Sequence, residues 1–299
     1  MTWLDGLGDE LRARGVPPTE RQRIVLELRD HIECEPGCEQ RLGDPRALAG
    51  TFADELATSR ARGSALWAFG ALALAAVCLI VSQTALGAAG GYPGFTRGIS
   101  LVLFVPAFFG LLVASQVALV AGCLALVRAA RRQHELSLPA AEIELLERRT
   151  RIALLAGLAT IAGLALYLID FVRLLPGWYV ALVAGLGLVA ATAMSVAYRR
   201  LTRAQTIVSE RPGEAGDVYD DLPILDWRWL RQRPWLLGVI GSLVVCLVTI
   251  GVGTNAERSL IEGVERGVAE GLFAAIGFVF LGRAVGLMPP RTPPRPDRQ

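Results

Sequence analysis

Lysine is absent from the 299-residue chain, which contains 30 arginines. Without lysine there can be no Gly-x4-Gly-Lys-Ser/Thr loop, the motif that holds nucleotide phosphates in P-loop enzymes. Histidine is nearly absent as well, with two residues, and the Gly-x-Ser-x-Gly and His-Glu-x2-His motifs of hydrolases and zinc proteases do not occur. We therefore expect no enzyme activity, no catalytic residues and no bound cofactor.

Charge of either sign is scarce, since charged residues make up 19% of the chain and hydrophobic residues 53%. The uncharged residues are grouped in blocks of roughly 18–28 residues, the length of a helix that crosses about 30 Å of hydrocarbon. Because lipid cannot satisfy the polar groups of irregular backbone, such blocks are expected to be helical. The sequence predicts an all-α, polytopic membrane bundle with six spans, at residues 65–86, 100–127, 152–169, 178–198, 235–254 and 268–288.

The arginines predict how these spans are oriented. With the N-terminus inside the cell, the cytoplasmic segments hold 26 arginines and the three external loops hold four. An excess of basic residues in cytoplasmic loops is a strong signal of membrane topology. We expect a multi-pass protein of the inner or plasma membrane whose two termini are cytoplasmic.

The chain outside the spans divides into two parts. Residues 1–62 are polar and charged, and they lack the apolar core and cleavage site of a signal peptide. We interpret them as a cytosolic domain that precedes a transmembrane domain at residues 63–288. In the tail, residues 289–299, proline alternates with arginine, a composition typical of disordered segments.

Apolar spacing within residues 1–62 predicts three short amphipathic helices. We expect Thr19 to be the N-cap of the second helix, with Gln22 completing a capping box, and Asp44-Pro45 to begin the third. A core this small is marginal alone, so the domain needs support from a partner, a second copy or the membrane-side loops. The apolar stripes are Trp3, Leu4, Leu7 and Leu11; Val25, Leu28 and Ile32; and Leu48, Ala49, Phe52 and Leu56.

Three potential metal ligands, His31, Cys34 and Cys38, lie close together in the sequence. Zinc prefers four nitrogen and sulfur ligands, commonly including a Cys-x2-Cys pair. This cluster offers three ligands and no second cluster supplies a fourth. We therefore predict no metal site and regard the three residues as weak candidates.

Small residues recur at four-residue spacing in and before the sixth predicted span. Such stripes let helix backbones approach closely in lipid, where helix association depends on packing. We interpret the stripe as a helix-packing surface, either within one bundle or between two copies of the chain. Its members are Gly263, Gly267, Gly271 and Ala275, continued by Gly282 and Gly286.

Residues 1–62 carry nine arginines and twelve acidic residues, so this segment is acidic overall. A domain that contacts DNA directly is expected to be basic. An acidic domain instead favours a basic protein partner, such as a DNA-binding regulator, because complementary potentials strengthen association. We predict no direct contact with nucleic acid.

Part of the N-terminal segment resembles a bacterial protein family. The runs Leu26–Ile32, Arg41–Ala49 and Phe52–Leu56 are similar to the HAAS signalling domain, which is also seen as the prefix domain of some permeases, and the Leu-Gly-Asp-Pro sequence at residues 42–45 carries most of the likeness. The resemblance covers about the first 60 residues. It implies a three-helix cytosolic domain before several spans, often encoded beside a PadR-type transcriptional regulator, and it supplies no catalytic residues.

These observations favour a membrane signalling or regulatory protein whose N-terminal domain binds a cytosolic partner, such as a PadR-like regulator. The contact surface is expected on the second helix and on the approach to the third. Its predicted residues are Arg29, Asp30, Arg41, Asp44 and Arg46.

Two other functions remain open. The main alternative is a transporter or permease component, with a substrate path between the spans near Gln83 and Gln116. The third is a membrane enzyme that uses the external carboxylates Glu257, Glu262, Glu265 and Glu270, although their spacing is also that of a solvated helix face.

Reporter fusions after Ala88 and after Gln133 test the predicted topology. Ala88 follows the first predicted span and Gln133 follows the second, so we expect an external signal at Ala88 and a cytoplasmic signal at Gln133. Alkaline phosphatase and green fluorescent protein, which are active on opposite sides of the membrane, provide the measurement. The same side at both positions would contradict the topology.

Overall fold

The computed structural model describes residues 2–35, 37, 39–88, 98–171, 175–216, 233, 235–257 and 260–285. The regular structure within these ranges is helical, without strands. The helices, numbered along the chain, are α1 (Trp3–Ala13), α2 (Pro18–Cys34), α3 (Glu39–Leu42), α4 (Pro45–Ala88), α5 (Gly98–Arg131), α6 (Ala140–Phe171), α7 (Gly177–Ala204), α8 (Trp235–Glu257) and α9 (Leu260–Val285).

Four of the described helices are long and apolar enough to cross a membrane. The qualifying stretches overlap the first four predicted spans and are Pro45–Ser82, Gly110–Arg131, Ala140–Leu166 and Gly177–Arg203. The fifth and sixth predicted spans overlap α8 and α9. Within α8, Gly238–Val248 is a shorter apolar stretch. The prediction of a helical, membrane-type fold is therefore confirmed.

The third N-terminal helix differs from its prediction. We expected a short helix that ends before the first span, whereas α4 runs without interruption for 44 residues. Its start agrees with the sequence, because Asp44 Oδ1 accepts the N–H of Arg46 at 3.1 Å and Pro45 occupies the first position. Residues 58–68 contain no proline and a single glycine, so nothing in the sequence ends the helix at that point.

The capping prediction for α2 is wrong. α2 begins at Pro18, ahead of Thr19, and its N-cap is Pro17, which has no polar side chain. Proline presets the backbone φ angle for a first helical turn, so the consecutive prolines start the helix without a capping side chain. A capping box occurs in α1 instead, where Thr2 Oγ1 accepts the N–H of Asp5 at 3.3 Å and Asp5 Oδ2 accepts the N–H of Thr2 at 2.9 Å.

The chain forms two compact units. Unit 1 consists of Met1–Ala68, Ala125–Arg151 and Ser195–Gly216, and unit 2 consists of Phe69–Leu124, Ile152–Met194 and Asp217–Gln299. Unit 1 thus contains the predicted N-terminal domain together with two segments that connect predicted spans. The N-terminal residues are one of the three chain segments that build this unit.

Unit 1 is built around a stripe of alanines on α4. Ala49, Ala53, Ala57, Ala61 and Ala65 recur every four residues, and each is at most 3% exposed. Residues four apart lie on one helix face, and their small side chains allow close approach of neighbouring elements. The same core contains Leu7, Leu11, Val16, Ile24, Ala125, Ala129, Leu138, Ile143, Leu146 and Ile207.

This core shows what supports the N-terminal helices. Of the three supports considered from the sequence, the structure contains the loops between predicted spans, through residues such as Leu138 and Ile207. The stripe predicted for α2 is shifted, because Ile24 is the buried residue while Val25, Leu28 and Ile32 are partly exposed. Leu28 still packs against the core from its edge.

A buried ion pair joins α5 to α6 within unit 1. The side chains of Arg128 and Glu142 are 3% and 2% exposed. The guanidinium donates to both carboxylate oxygens, from Nε at 2.8 Å and from Nη2 at 3.0 Å, and the N–H of Gly216 donates to the same carboxylate at 2.9 Å. Bidentate geometry and a third donor are the features that offset the desolvation cost of two buried charges.

Residues 205–216, which follow α7, are named the strap. Hydrogen bonds along its length make the strap an integral part of unit 1. In addition to the bond between Gly216 and Glu142, they are Val208 N–H to Arg14 O at 3.1 Å, Ser209 Oγ to Asp54 Oδ1 at 2.7 Å, Arg211 Nη1 to Ser137 O at 2.7 Å, and Ala140 N–H to Arg211 O at 3.1 Å.

Unit 2 contains close helix contacts among α4, α5, α6 and α7. The side chain of Leu72 fits against two glycines, since a Cβ on Gly122 or Gly157 would lie 2.7 or 2.6 Å from its methyl groups. Cys78 is fully buried, and its thiol donates to the carbonyl of Val183 at 3.7 Å. These contacts hold the apolar helices together at positions where larger residues do not fit.

Removing the Glu142 carboxylate tests the buried pair. Glu142→Ala leaves Arg128 buried without its bidentate partner, which costs about 3–5 kcal/mol in comparable buried pairs. We expect a lower unfolding temperature in detergent and faster cleavage after Glu214 by a glutamate-specific protease, because the strap loses its contact at Gly216. Circular dichroism and limited proteolysis provide the measurements.

Glu144→Ala is the matched control, because Glu144 lies one half-turn away on α6 and is exposed. We expect its unfolding temperature and cleavage rate to match those of the unmodified protein. Equal effects of the two substitutions would show that the buried pair does not stabilise the strap.

Candidate functional site

α1 and α2 form a hairpin whose turn requires glycine. Gly15 has a φ of +74°, and a Cβ at this position would overlap the carbonyl oxygen of Thr206 in the strap. The next residue, Val16, is 3% exposed and belongs to the core of unit 1. The turn therefore anchors both N-terminal helices to the strap.

A surface groove of about 540 Å³, named the α1–α2 groove, lies along this hairpin. It combines two carboxylates and three guanidinium groups with apolar side chains. Leu26, at 52% exposure, is the most accessible large apolar residue in it. The lining residues are Leu4, Asp5, Gly8, Asp9 and Arg12 of α1, and Arg21, Gln22, Val25, Leu26 and Arg29 of α2.

Asp5, on the acidic side of the groove, stays charged at neutral pH. Hydrogen bonds with Thr2, and to a smaller extent the charge of Arg29, hold the pKa of Asp5 below its ordinary value. Asp9 forms a 3.3 Å ion pair with Arg12, with both side chains more than half exposed. Such a pair adds little to stability, so these charges remain available to a ligand.

The five predicted contact residues are all exposed: Arg29, Asp30, Arg41, Asp44 and Arg46. Arg29 lines the α1–α2 groove, and Asp30 is its neighbour on α2. Arg41 forms a 2.5 Å ion pair with Glu35, and Asp44 caps α4. The structure therefore leaves each of these side chains accessible.

The five residues fall into two groups. Arg29 and Asp30 lie on α2, whereas the other three lie around the start of α4. Trp3 Nε1 donates to the carbonyl of Gly43 at 2.9 Å, which ties the start of α1 to the turn before α4. Among the described residues, no hydrogen bond or ion pair joins the two groups.

Sequence reasoning missed the α1 side of the groove. Asp5, Asp9 and Arg12 recur at four- and three-residue spacing, and Arg21 and Arg29 are eight residues apart on α2. Helical spacing therefore places each set on one face of its helix. This signal was present in the sequence, but it does not reveal that the two faces meet.

Two of the three weak metal candidates lie in the described part of the chain. His31 and Cys34 are exposed on the last turns of α2. Cys38 lies outside the described residues. Within the described part of the chain, no group of three His, Cys, Asp or Glu side chains has the geometry of a metal site.

The small-residue stripe of α9 faces α8 at two positions. A Cβ on Gly267 would overlap the side chain of Ile250 and lie 2.9 Å from the carbonyl of Cys246, and a Cβ on Gly271 would lie 2.8 Å from the Cβ of Cys246. These two glycines therefore pack within one chain. Gly263 and Gly282 are buried, Ala275 is partly buried, and Gly286 lies outside the described residues.

Comparisons of the chain with known protein families, with curated proteins and with solved structures give no match.

Substitution of Gly267 by alanine tests the α8–α9 contact. The added methyl group meets Ile250 and Cys246, and overpacking of this kind costs about 1–3 kcal/mol. We expect Gly267→Ala to lower the unfolding temperature of the purified protein, followed by intrinsic fluorescence in detergent.

Gly251→Ala in α8 is the matched control, because a Cβ there has open space around it. Alanine favours a helix over glycine by roughly 0.5–1 kcal/mol, so this variant should be as stable as the unmodified protein or more so. The proposed close contact fails if both variants gain stability equally.

Proposed function

We propose that the chain is an integral membrane signalling or regulatory protein whose N-terminal helices bind a cytosolic protein partner. The observation that carries the proposal is the α1–α2 groove, in which exposed charges surround accessible apolar residues such as Leu26. Protein interfaces commonly combine an apolar centre with a polar rim. A partner segment with an apolar face and flanking charges fits this chemistry.

In this proposal all six apolar blocks cross the membrane and both termini are cytoplasmic. Four membrane-length helices and the helical character of the last two blocks support the count. The concentration of 26 of the 30 arginines in cytoplasmic segments supports the orientation.

The proposed partner is a PadR-type transcriptional regulator. The likeness of residues 26–56 to the HAAS signalling domain suggests this class of partner. The excess of acidic over basic residues in the first 62 residues is complementary to a basic, DNA-binding protein. Sequestration at the membrane would then keep the regulator from its operator without any contact between this chain and DNA.

Signalling requires that the partner surface differ between two states of the spans. α4 provides a physical connection, because a single helix contains both the exposed Arg46 and the apolar stretch proposed as the first span. A rotation or displacement of the apolar part of such a helix alters the position of its capped start. The proposed function therefore needs no enzymatic step.

Transport is the second candidate, and one cavity in unit 2 favours it. This cavity of about 430 Å³ includes Ser115, Gln116 and Thr160 among mostly apolar lining residues. Gln116 is one of the two residues expected near a substrate path; the side chain of Gln83 lies outside the described residues. Solute uptake into proteoliposomes, abolished by Gln116→Leu, would favour this function over the regulatory one.

A charge exchange on α2 tests partner binding. The full-length protein in lipid nanodiscs is the bait, because unit 1 is built from three chain segments. We expect Arg29→Glu combined with Asp30→Arg to weaken binding of the PadR-type regulator from the same genome by about tenfold, since it reverses one charge in the groove and one beside it without altering net charge. Biolayer interferometry measures the affinity.

The matched control is Arg23→Glu combined with Glu27→Arg. These residues form an exposed 3.5 Å ion pair on the same helix outside the groove, and the exchange preserves the pair. The control should bind like the unmodified protein. Absence of regulator binding to the unmodified protein, together with solute uptake, would overturn the proposed function.

A further inference from the structure

Unit 1 has a second groove, distinct from the α1–α2 groove and lined by three arginines and a single carboxylate. Its volume is about 610 Å³, and the start of α2, the middle of α4, the end of α7 and the strap contribute to it. We name it the arginine groove. Its charged and aromatic members are Glu20, Arg60, Trp67, Arg200 and Arg203.

One arginine of this groove is already neutralised. Arg60 Nη2 contacts Glu20 Oε1 at 2.6 Å, and both side chains are less than one third exposed. Burial raises the pKa of Glu20, but the hydrogen bonds from Arg60 and Thr19 outweigh it and leave the pKa below its ordinary value. Glu20 is therefore ionised at neutral pH, and the pair forms a neutral wall of the groove.

The other two arginines of the groove, Arg200 and Arg203, form no salt bridge among the described residues. Both are exposed on the last turns of α7, three residues apart, so they project from neighbouring positions of one helix face. Two guanidinium groups without a carboxylate partner create a positive site that an anion can occupy.

Trp67 fixes one of these guanidinium groups. The central carbon of the Arg200 guanidinium lies 4.5 Å from the centroid of the Trp67 ring. Stacking on an aromatic ring holds the planar group while leaving its edge N–H donors free. The fork of donors on an arginine matches the geometry of phosphate oxygens.

The sequence positions of these residues place the groove near the expected cytoplasmic surface of the membrane. Arg60 lies five residues before the first predicted span, Trp67 lies near the start of that span, and Arg200 and Arg203 follow the fourth. Trp67 is 60% exposed. Exposed tryptophan is typical of the lipid headgroup level, and basic pockets at cytoplasmic helix ends bind anionic headgroups.

We propose that the arginine groove is a binding site for a phosphate group, carried by an anionic phospholipid or by a soluble phosphate ester, with Arg200 and Arg203 as the donors. Trp67 positions Arg200, and the Glu20–Arg60 pair borders the site. The site does not depend on the partner-binding proposal. A bound phosphate would link α4 to the end of α7.

The test measures binding of fluorescent short-chain phosphatidylglycerol to the full-length protein in detergent. Arg200→Gln combined with Arg203→Gln removes both donors, and we expect affinity to fall by tenfold or more, roughly the effect of losing one charge-assisted hydrogen bond. The matched control, Arg148→Gln combined with Arg199→Gln, removes the same charge from exposed arginines of unit 1 that do not line the groove. We expect less than about a twofold change in the control, because exposed charges are screened.

Competition with inorganic phosphate identifies the source of the group. Displacement of the lipid at millimolar phosphate, lost in the groove variant, assigns the site to soluble phosphates. Lipid binding that depends on the groove but resists phosphate assigns it to a membrane lipid. Equal affinity of the groove variant and its control overturns the proposal.

A further pair of variants covers the case in which the double glutamine variant does not fold. Arg200→Lys keeps the charge but loses the planar fork, and Trp67→Leu removes the ring that positions Arg200. We expect each to weaken lipid binding several-fold while circular dichroism remains unchanged. Unchanged affinity in both variants would also overturn the proposal.

Discussion

The carboxylate of Glu142 is the point on which the organisation of unit 1 depends. It accepts hydrogen bonds from Arg128 on α5 and from the backbone of Gly216 at the end of the strap. An ionised group with this little exposure is stable only if its partners stay in place, so the pair fixes the register of three chain segments. The contacts of the strap with Arg14 and Asp54 then position the N-terminal helices that carry the α1–α2 groove.

Much of the fold could be predicted, because long uncharged blocks leave helices as the expected structure. The continuity of α4 was missed, since the apolar spacing within residues 1–62 was interpreted as a separate short helix although no proline ends it. The alanine stripe was missed for another reason. Hydrophobic periodicity gives most weight to large residues, whereas Ala53, Ala57 and Ala61 matter because they are small and admit close neighbours.

The candidate sites were likewise predicted only in part from the sequence. The exposure of Arg29 and Asp30 follows from their position on the polar face of an amphipathic helix, which the sequence reveals. The α1–α2 groove depends on how two helices pair, and the arginine groove brings Glu20 into one site with Arg200. Because Glu20 and Arg200 are far apart in the sequence, no local sequence pattern predicts that they line the same groove.

The packing of Ile207 in the core of unit 1 and of Thr206 against the Gly15 turn has a consequence for biosynthesis. Leu7 and Leu11 share their core with Ile207, and the Gly15 turn fits against Thr206. Roughly 200 residues separate these partners, which at about 5–20 residues per second amounts to about 10–40 s of translation. The packing of α1 and α2 is therefore complete only after the strap has been synthesised, with four apolar helices made in between.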